Sequence, residues 1–251
     1  GDDLSTTTRP QTTTGATFGS IQAHLASLGS EPKEIARVGK AIGADDAAAI
    51  AEFVATHLSL ERLSLSGNHI ADAGATSLAT ALVPGRITRL DLRHNFVGDD
   101  GAAALSLALC KGIALTRLDL SGNSIGPRGA AALAKMLQAN TTLSRLDLRH
   151  NSLGNEGAQY LAGALSANST LQRLDLGSNG LTSKGCLALA RALGLNQTVR
   201  ELDLRGNEVG AETEAALRGA QGKGAGRRVL WAFSDATATT RGSRPRLVSP
   251  N

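Results

Sequence analysis

An asparagine returns through the chain at a nearly fixed interval. Asn68, Asn95, Asn123, Asn151, Asn179 and Asn207 are separated by 27, 28, 28, 28 and 28 residues. Each belongs to the same phrase, found at Leu60–Ile70, Ile87–Val97, Leu115–Ile125, Leu143–Leu153, Leu171–Leu181 and Val199–Val209. Apolar residues hold the first, fourth, sixth and last places of every copy. A period of this length carries one supersecondary unit that cannot bury its apolar face alone, so stability must come from stacking neighbours.

The chemistry inside one unit is readable. Leu146 and Leu148 alternate with Arg145, Asp147 and Arg149 at period two, the mark of a strand with one buried face. Leu153, Ala158, Leu161, Ala162 and Leu165 then fall near one side of a helix. A unit is therefore strand, loop, helix, loop, and successive strands run parallel. Strands sit about 4.8 Å apart and packed helices roughly 8–10 Å. The stack must bend, with the sheet inside the curve and the helices outside. The six asparagines read as structural, since a side-chain amide can satisfy backbone groups buried where the chain leaves each strand. An unpaired buried group would cost about 1–3 kcal/mol. The alanines of the helical half are equally structural, because small residues let helices approach the sheet.

The phrase L-x-x-L-D-L-x-x-N-x-L-G-x-x-G-A-x-x-L-A-x-A-L, over about Pro32 to Leu217, resembles leucine-rich repeats of the ribonuclease-inhibitor type. It is most like the repeat region of NOD-like receptors, and is also similar to Ran GTPase-activating proteins. The resemblance implies a right-handed α/β horseshoe with a parallel concave sheet and convex helices. It also implies a non-catalytic sensor or scaffold that binds a protein in the cytoplasm. A Ran-type GTPase activator is the alternative; the basic end of the chain counts against it.

Read in order, residues 1–17 are rich in threonine and expected to be disordered, and the opening Gly1 reads as a fragment or processed piece. Residues 18–59 form a cap, with a helix from Ser20 to Leu28 and a degenerate repeat in which Lys40 stands where asparagine is expected. Six repeats fill 60–217. Residues 218–233 form a closing cap with a strand near Val229 to Phe233, and 234–251 a disordered basic tail. From Arg218 onward there are seven bases and one acid, a net of +6, against +4 for the whole chain. The first 20 residues carry −1 and the body −1, so the excess charge belongs to the tail. Such a tail can touch nucleic acid weakly. No apolar leader and no membrane-spanning run occur.

Conventional reactive motifs are missing. Gly39-Lys40 and Gly222-Lys223 are not followed by Ser or Thr, so neither is a phosphate loop, and no nucleophile elbow occurs. Cys110 and Cys186 stand at different phases of the repeat and read as free thiols. His94 and His150 lie two repeats apart, about 10 Å at the strand spacing and too far to share a metal. No cofactor is expected. The N-x-T triplets at Asn140, Asn168 and Asn196 repeat every 28 residues, which favours a structural asparagine that ends a helix in the left-handed conformation over a glycosylation acceptor.

Function is therefore sought on the concave face of a monomer. One exposed column reads Arg62, Arg89, Arg117, Arg145, Arg173, Glu201, and the next Ser64, Asp91, Asp119, Asp147, Asp175, Asp203. Stacked carboxylates at that spacing repel by roughly 0.9 kcal/mol per pair even in water. The arginines can offset this as a self-neutralising lattice. A third column alternates large and small pairs: Ser66-Gly67, Arg93-His94, Ser121-Gly122, Arg149-His150, Gly177-Ser178, Arg205-Gly206. Duplication of a two-repeat unit, or basic side chains separated by pockets, would each produce it. The candidate surface for an acidic protein partner comprises Arg93, His94, Arg117, Asp119, Arg145, Asp147, Arg149, His150, Arg173, Asp175 and Arg205. Specificity is expected in the variable column, and Asn155 is expected in an exposed loop with no structural duty.

Overall fold

The computed structural model describes residues 15–82, 86–223 and 226–231, with side chains from residue 21 onward. The threonine-rich segment up to residue 14, the tail from residue 232 and Phe233 of the expected closing strand lie outside the described residues. Among the described residues, eight strands alternate with eight helices: α1 (Gly15–Ser27), β1 (Glu34–Ala36), α2 (Ala44–Thr56), β2 (Arg62–Ser64), α3 (Ala71–Leu82), β3 (Arg89–Asp91), α4 (Asp99–Leu109) and β4 (Arg117–Asp119). There follow α5 (Pro127–Ala139), β5 (Arg145–Asp147), α6 (Gly154–Leu165), β6 (Arg173–Asp175), α7 (Ser183–Leu195), β7 (Glu201–Asp203), α8 (Ala211–Gly222) and β8 (Arg228–Leu230). The strands form one parallel sheet in sequence order. The α/β leucine-rich repeat solenoid is thus observed. Helix α1 begins at Gly15, ahead of the start at Ser20.

Register follows from the repeat. Leu63, Leu90, Leu118, Leu146, Leu174 and Leu202 stand opposite one another across the sheet and point into a continuous core. On the helical side, Leu153, Ala158, Leu161, Ala162 and Leu165 are all buried. Each helix packs on its sequence neighbours. Close approach is secured by a glycine column. A Cβ on Gly129 would meet Asp99 Oδ1 and Ile125 Cγ2 at 2.7 Å, and one on Gly185 would meet Asn155 Oδ1 at 2.7 Å.

The ladder asparagines bind as expected. Asn123 Oδ1 accepts from the Asn95 and Val97 amides of the preceding repeat, while Nδ2 donates to Leu92 O and Leu120 O. Asn151 repeats the pattern with Ile125 N, Leu120 O and Leu148 O. Each side chain therefore stitches two repeats where strand gives way to loop.

A second ladder stands at the other end of the helices, and here the left-handed expectation fails. Asn140 has φ −80°, ψ 131° and Asn196 φ −73°, ψ 134°, both extended. The extended backbone lets each Oδ1 accept from the two amides ahead, Thr142 and Leu143 for Asn140, Thr198 and Val199 for Asn196. Nδ2 is then free to reach back one repeat, from Asn140 to Leu109 O, Asn168 to Leu137 O and Asn196 to Leu165 O. Left-handed backbone is instead spent in the variable column, where Gly67, His94, Gly122, His150, Ser178 and Gly206 all have φ between 53° and 75°.

The last rung of the second ladder is an arginine. Arg227 is 5 % exposed. Its guanidinium donates to Leu193 O, Asn196 O and Ala220 O, and its Nε to Val199 O. Burial lowers its pKa. Arg227 therefore does the work of an asparagine rung, donating to carbonyls of the preceding repeat. Arg218 reaches Glu214 at 3.3 Å and lies over the Trp231 ring, and Arg228 approaches Glu201 at 4.0 Å. Three of the seven bases counted from Arg218 onward are thus engaged by the fold.

Candidate functional site

The strands present two parallel rows on the concave face, because residues two apart in a strand point the same way. Together they line an open groove of about 430 Å³ that runs from Glu34 to Asp203 across the sheet. Of the candidate residues, Arg117, Asp119, Arg145, Asp147, Arg173 and Asp175 line it. Arg93, His94, Arg149, His150 and Arg205 lie beyond it, just after their strands. Arg89, which belongs to the first column but was outside the candidate set, lines the groove as well.

The arginine row is closed at both ends and open in the middle. Arg62 Nη1 lies 3.5 Å from Glu34, and Arg173 Nη2 lies 2.7 Å from Glu201. Among the described residues, the side chains of Arg89, Arg117 and Arg145 carry no ion pair or hydrogen bond, although they stand opposite one another in successive strands. The self-neutralising lattice is therefore not what forms. The carboxylates turn toward their own chain instead. Asp119 Oδ1 accepts from Ser121 N and Oγ, Asp147 Oδ1 from Arg149 N, and Asp175 Oδ1 from Gly177 N. These bonds hold the turn after each strand and draw the acids away from the guanidinium row.

The electrostatic consequences are visible. Asp147 is pushed up to about 7, first by burial and then by Asp175 and Asp119 on either side, against the pull of the Arg149 amide. Asp175 is raised for the same leading reason, with Asp203 adding to it. Arg117 is lowered by desolvation and by Arg145, Arg89 and Arg173. Like charges are stacked in each row and only partly compensated.

The variable column has a steric logic. The His94 imidazole lies over the next repeat, where a Cβ on Gly122 would come within 2.2 Å of its Nδ1. The Arg149 stem sits 3.3 Å from where a Cβ on Gly177 would be, and Ser178 Oγ at 2.3 Å from one on Gly206. A large residue in one repeat thus leans over a small one in the next. Arg93 pairs with Asp91 at 3.0 Å, and Arg205 is bound to Asp203. The alternation of large and small is explained by packing before any partner is invoked.

Sequence reasoning missed one set of side chains altogether. Asp72 Oδ1 accepts from Gly98 N and Gly101 N, and Asp99 Oδ1 from Gly126 N and Gly129 N. Asn155 Oδ1 accepts from Thr182 N and Gly185 N, and Ser183 Oγ from Gly210 N. These residues cap the helix of the following repeat, a job usually done by the residue at the helix start. Asn155 is therefore not an idle loop residue. A column of Asp, Asn and Ser aligned with glycines about one period later was the available signal. Thr182, Gly98, Gly126 and Gly210 at the helix starts make no side-chain cap.

Among the described residues, no group of three or more acidic, histidine or cysteine side chains is placed to hold a metal, and no helix is long and apolar enough to cross a membrane. Cys186 is buried, with its thiol pushed up to about 11, and Cys110 is an exposed free thiol.

A solved structure of leiomodin-1 actin-binding site 2 is similar to this chain, at 23 % identity over 54 % of this chain and 79 % of that one, with a TM-score of 0.47. No curated protein matches the chain. The leucine-rich repeat model matches residues 56–79, 87–106, 114–134, 139–162, 167–190 and 195–212, just over half of the sequence, and the chain belongs to the leucine-rich repeat family.

Proposed function

We propose that this chain is a non-catalytic protein-binding module whose partner seats on the concave sheet, in a cytoplasmic sensor or scaffold role of the NOD-like-receptor kind. One observation carries the reading: Arg89, Arg117 and Arg145 stand side by side in an open groove, and among the described residues none of them forms an ion pair or side-chain hydrogen bond, because the aspartates that share the groove are turned to their own chain. A folded protein gains nothing from stacking three unpaired guanidiniums. A partner with acidic side chains supplies what they lack. The asparagine columns, by contrast, spend their amides on backbone groups of neighbouring repeats.

The test is a paired charge reversal. Arg117→Glu with Arg145→Glu removes partner capture while the folded signal persists. Lys135→Glu with Lys184→Glu, on the helical side, leaves capture intact. Capture lost only with the helical pair overturns the concave reading. The rim pair Arg93→Glu with Arg149→Glu reports how much the variable column adds. A smaller loss than the groove pair is the expected result, because Arg93 is already paired with Asp91.

A further inference from the structure

We infer that the groove takes an α-helix laid along the arc, carrying an acidic stripe beside a basic one. The inference rests on the concave reading and names the occupant. Two observations carry it. The first is the open centre of the arginine row. The second is the row beside it: the Oδ2 atoms of Asp119, Asp147 and Asp175 accept no hydrogen bond among the described residues, since each carboxylate spends only Oδ1 on its own turn. The groove therefore offers three donors and three acceptors in parallel lines. Arg89, Arg117 and Arg145 come from β3 to β5, and the carboxylates from β4 to β6.

Spacing selects a helix. Neighbouring strands are about 4.8 Å apart, so three arginines span roughly 10 Å. Carboxylates at i, i+4 and i+7 of a helix span about 10.5 Å at 1.5 Å per residue, in steps close to the strand spacing. An extended peptide offers same-side residues only every ~6.6 Å. Its third carboxylate would overshoot by about 3 Å. The aspartate row then selects against a uniformly anionic ligand. A nucleic-acid strand or an all-acidic peptide placed on the arginines would run alongside three carboxylates. Lysines on the adjacent helical stripe, at i+1, i+5 and i+8, would meet them instead. Because acid and base lie on defined sides, the helix is accepted in one chain direction.

The raised pKa of Asp147 fits this arrangement, because a carboxylate crowded by Asp119 and Asp175 is relieved when an ammonium arrives. The neighbouring arginines gain from the acidic stripe in the same event.

The experiment uses the full chain and synthetic 18- to 21-residue helical peptides on an alanine–glutamine background, read by fluorescence anisotropy. The first peptide carries Glu at i, i+4, i+7 and Lys at i+1, i+5, i+8. The second has the same composition in shuffled order. In the third, proline prevents the helix while the charges are kept. A single-stranded oligonucleotide serves as polyanion control. The expected result is binding of the first peptide roughly tenfold or more tighter than the other three, weakening as salt rises. Arg117→Glu should abolish it, and Asp147→Lys should weaken it. Equal binding of the shuffled or proline peptide, or tighter binding of the oligonucleotide, overturns the helix proposal. If no peptide binds while captured protein is still lost with the arginine reversals, the helix fails and the concave reading stands. If capture survives those reversals, the concave reading fails as well.

Discussion

The two ends of each helix and the floor of the groove both carry recurring polar columns, and the columns treat hydrogen bonding differently. At the helix ends each of these side chains bonds backbone groups of a neighbouring repeat. Asn151 bridges Ile125, Leu120 and Leu148; Asn140 bridges Leu109, Thr142 and Leu143; Asn155 bridges Thr182 and Gly185. In the groove, three arginines have no partner among the described residues, and Asp147 is pushed up to about 7 by burial among other acids. A residue that recurs bonded to the backbone of the next repeat is holding repeats together. One that recurs with no such bond is available to something else. The difference separates structural columns from candidate binding columns where repetition alone cannot, because both repeat equally well.

The comparison is broken most severely at its C-terminal end. Arg227→Ala leaves Leu193, Asn196, Val199 and Ala220 carbonyls without their donor. A loss of about 3 kcal/mol is expected, from several unsatisfied buried groups, read as early melting of the last repeat in a urea titration. An unchanged titration would mean that water replaces the guanidinium without penalty.

Next come the internal rungs. Asn151→Ala should cost about 2 kcal/mol through orphaned amides and carbonyls, and Asn155→Ala about 1 kcal/mol through a lost helix cap. Both exceed the effect of an idle surface residue. Equal wild-type stability for Asn155→Ala would return it to the exposed loop in which sequence reading placed it.

Asp147 sharpens the groove side through pH. Its folded-state value lies near 7, above an ordinary carboxyl near 4, so the folded protein holds the proton through the interval between them. Stability therefore falls as pH rises from about 4 to 7 and levels off above that window. Asp147→Asn removes this dependence. The variant should exceed the parent by on the order of 1–3 kcal/mol at pH 8 and match it near pH 4. A parent that gains stability on moving from pH 5 to pH 8 would contradict the crowding. Asp175, shifted the same way by burial and Asp203, adds in the same direction.

The smallest effect is the most discriminating. Arg117→Ala and Arg145→Ala should change unfolding by no more than ~0.5 kcal/mol, as surface substitutions without partners do. Helix or protein binding should fall with either variant. Marked destabilisation would make the arginine row structural and collapse the contrast on which the proposal stands.

Much of the fold was legible because its signals are local and repeated. Period two across Leu146 and Leu148, helical spacing through Leu161 and Leu165, and a recurring Asn151 require no tertiary knowledge once stacking is granted. The degenerate repeat also forms a complete strand and helix, since Ile35, Ile42 and Ile50 preserve the buried positions. The roles of Asn155 and Arg227 were not legible, because most of their partners lie 27 to 34 residues away and are backbone atoms that carry no sequence signature. Nor could spacing decide between a neutralised lattice and an open arginine row. That depends on whether Asp147 bends toward Arg145 or toward the Arg149 amide, a choice of side-chain direction worth a few hydrogen bonds.

By itself, the sequence determined the repeat length, the alternation of strand and helix, the identity of the core and the existence of two charged columns. Each follows from chemistry that every repeat restates. Only the tertiary structure decided which polar columns are spent and which are open. The left-handed backbone at His94 and His150, the helix caps donated across repeats and the retreat of the aspartates from the arginines are all settled between neighbouring repeats. The physical reason is that a buried polar atom must be satisfied by whatever atom stacking brings within 3 Å, and stacking is a property of the assembled solenoid.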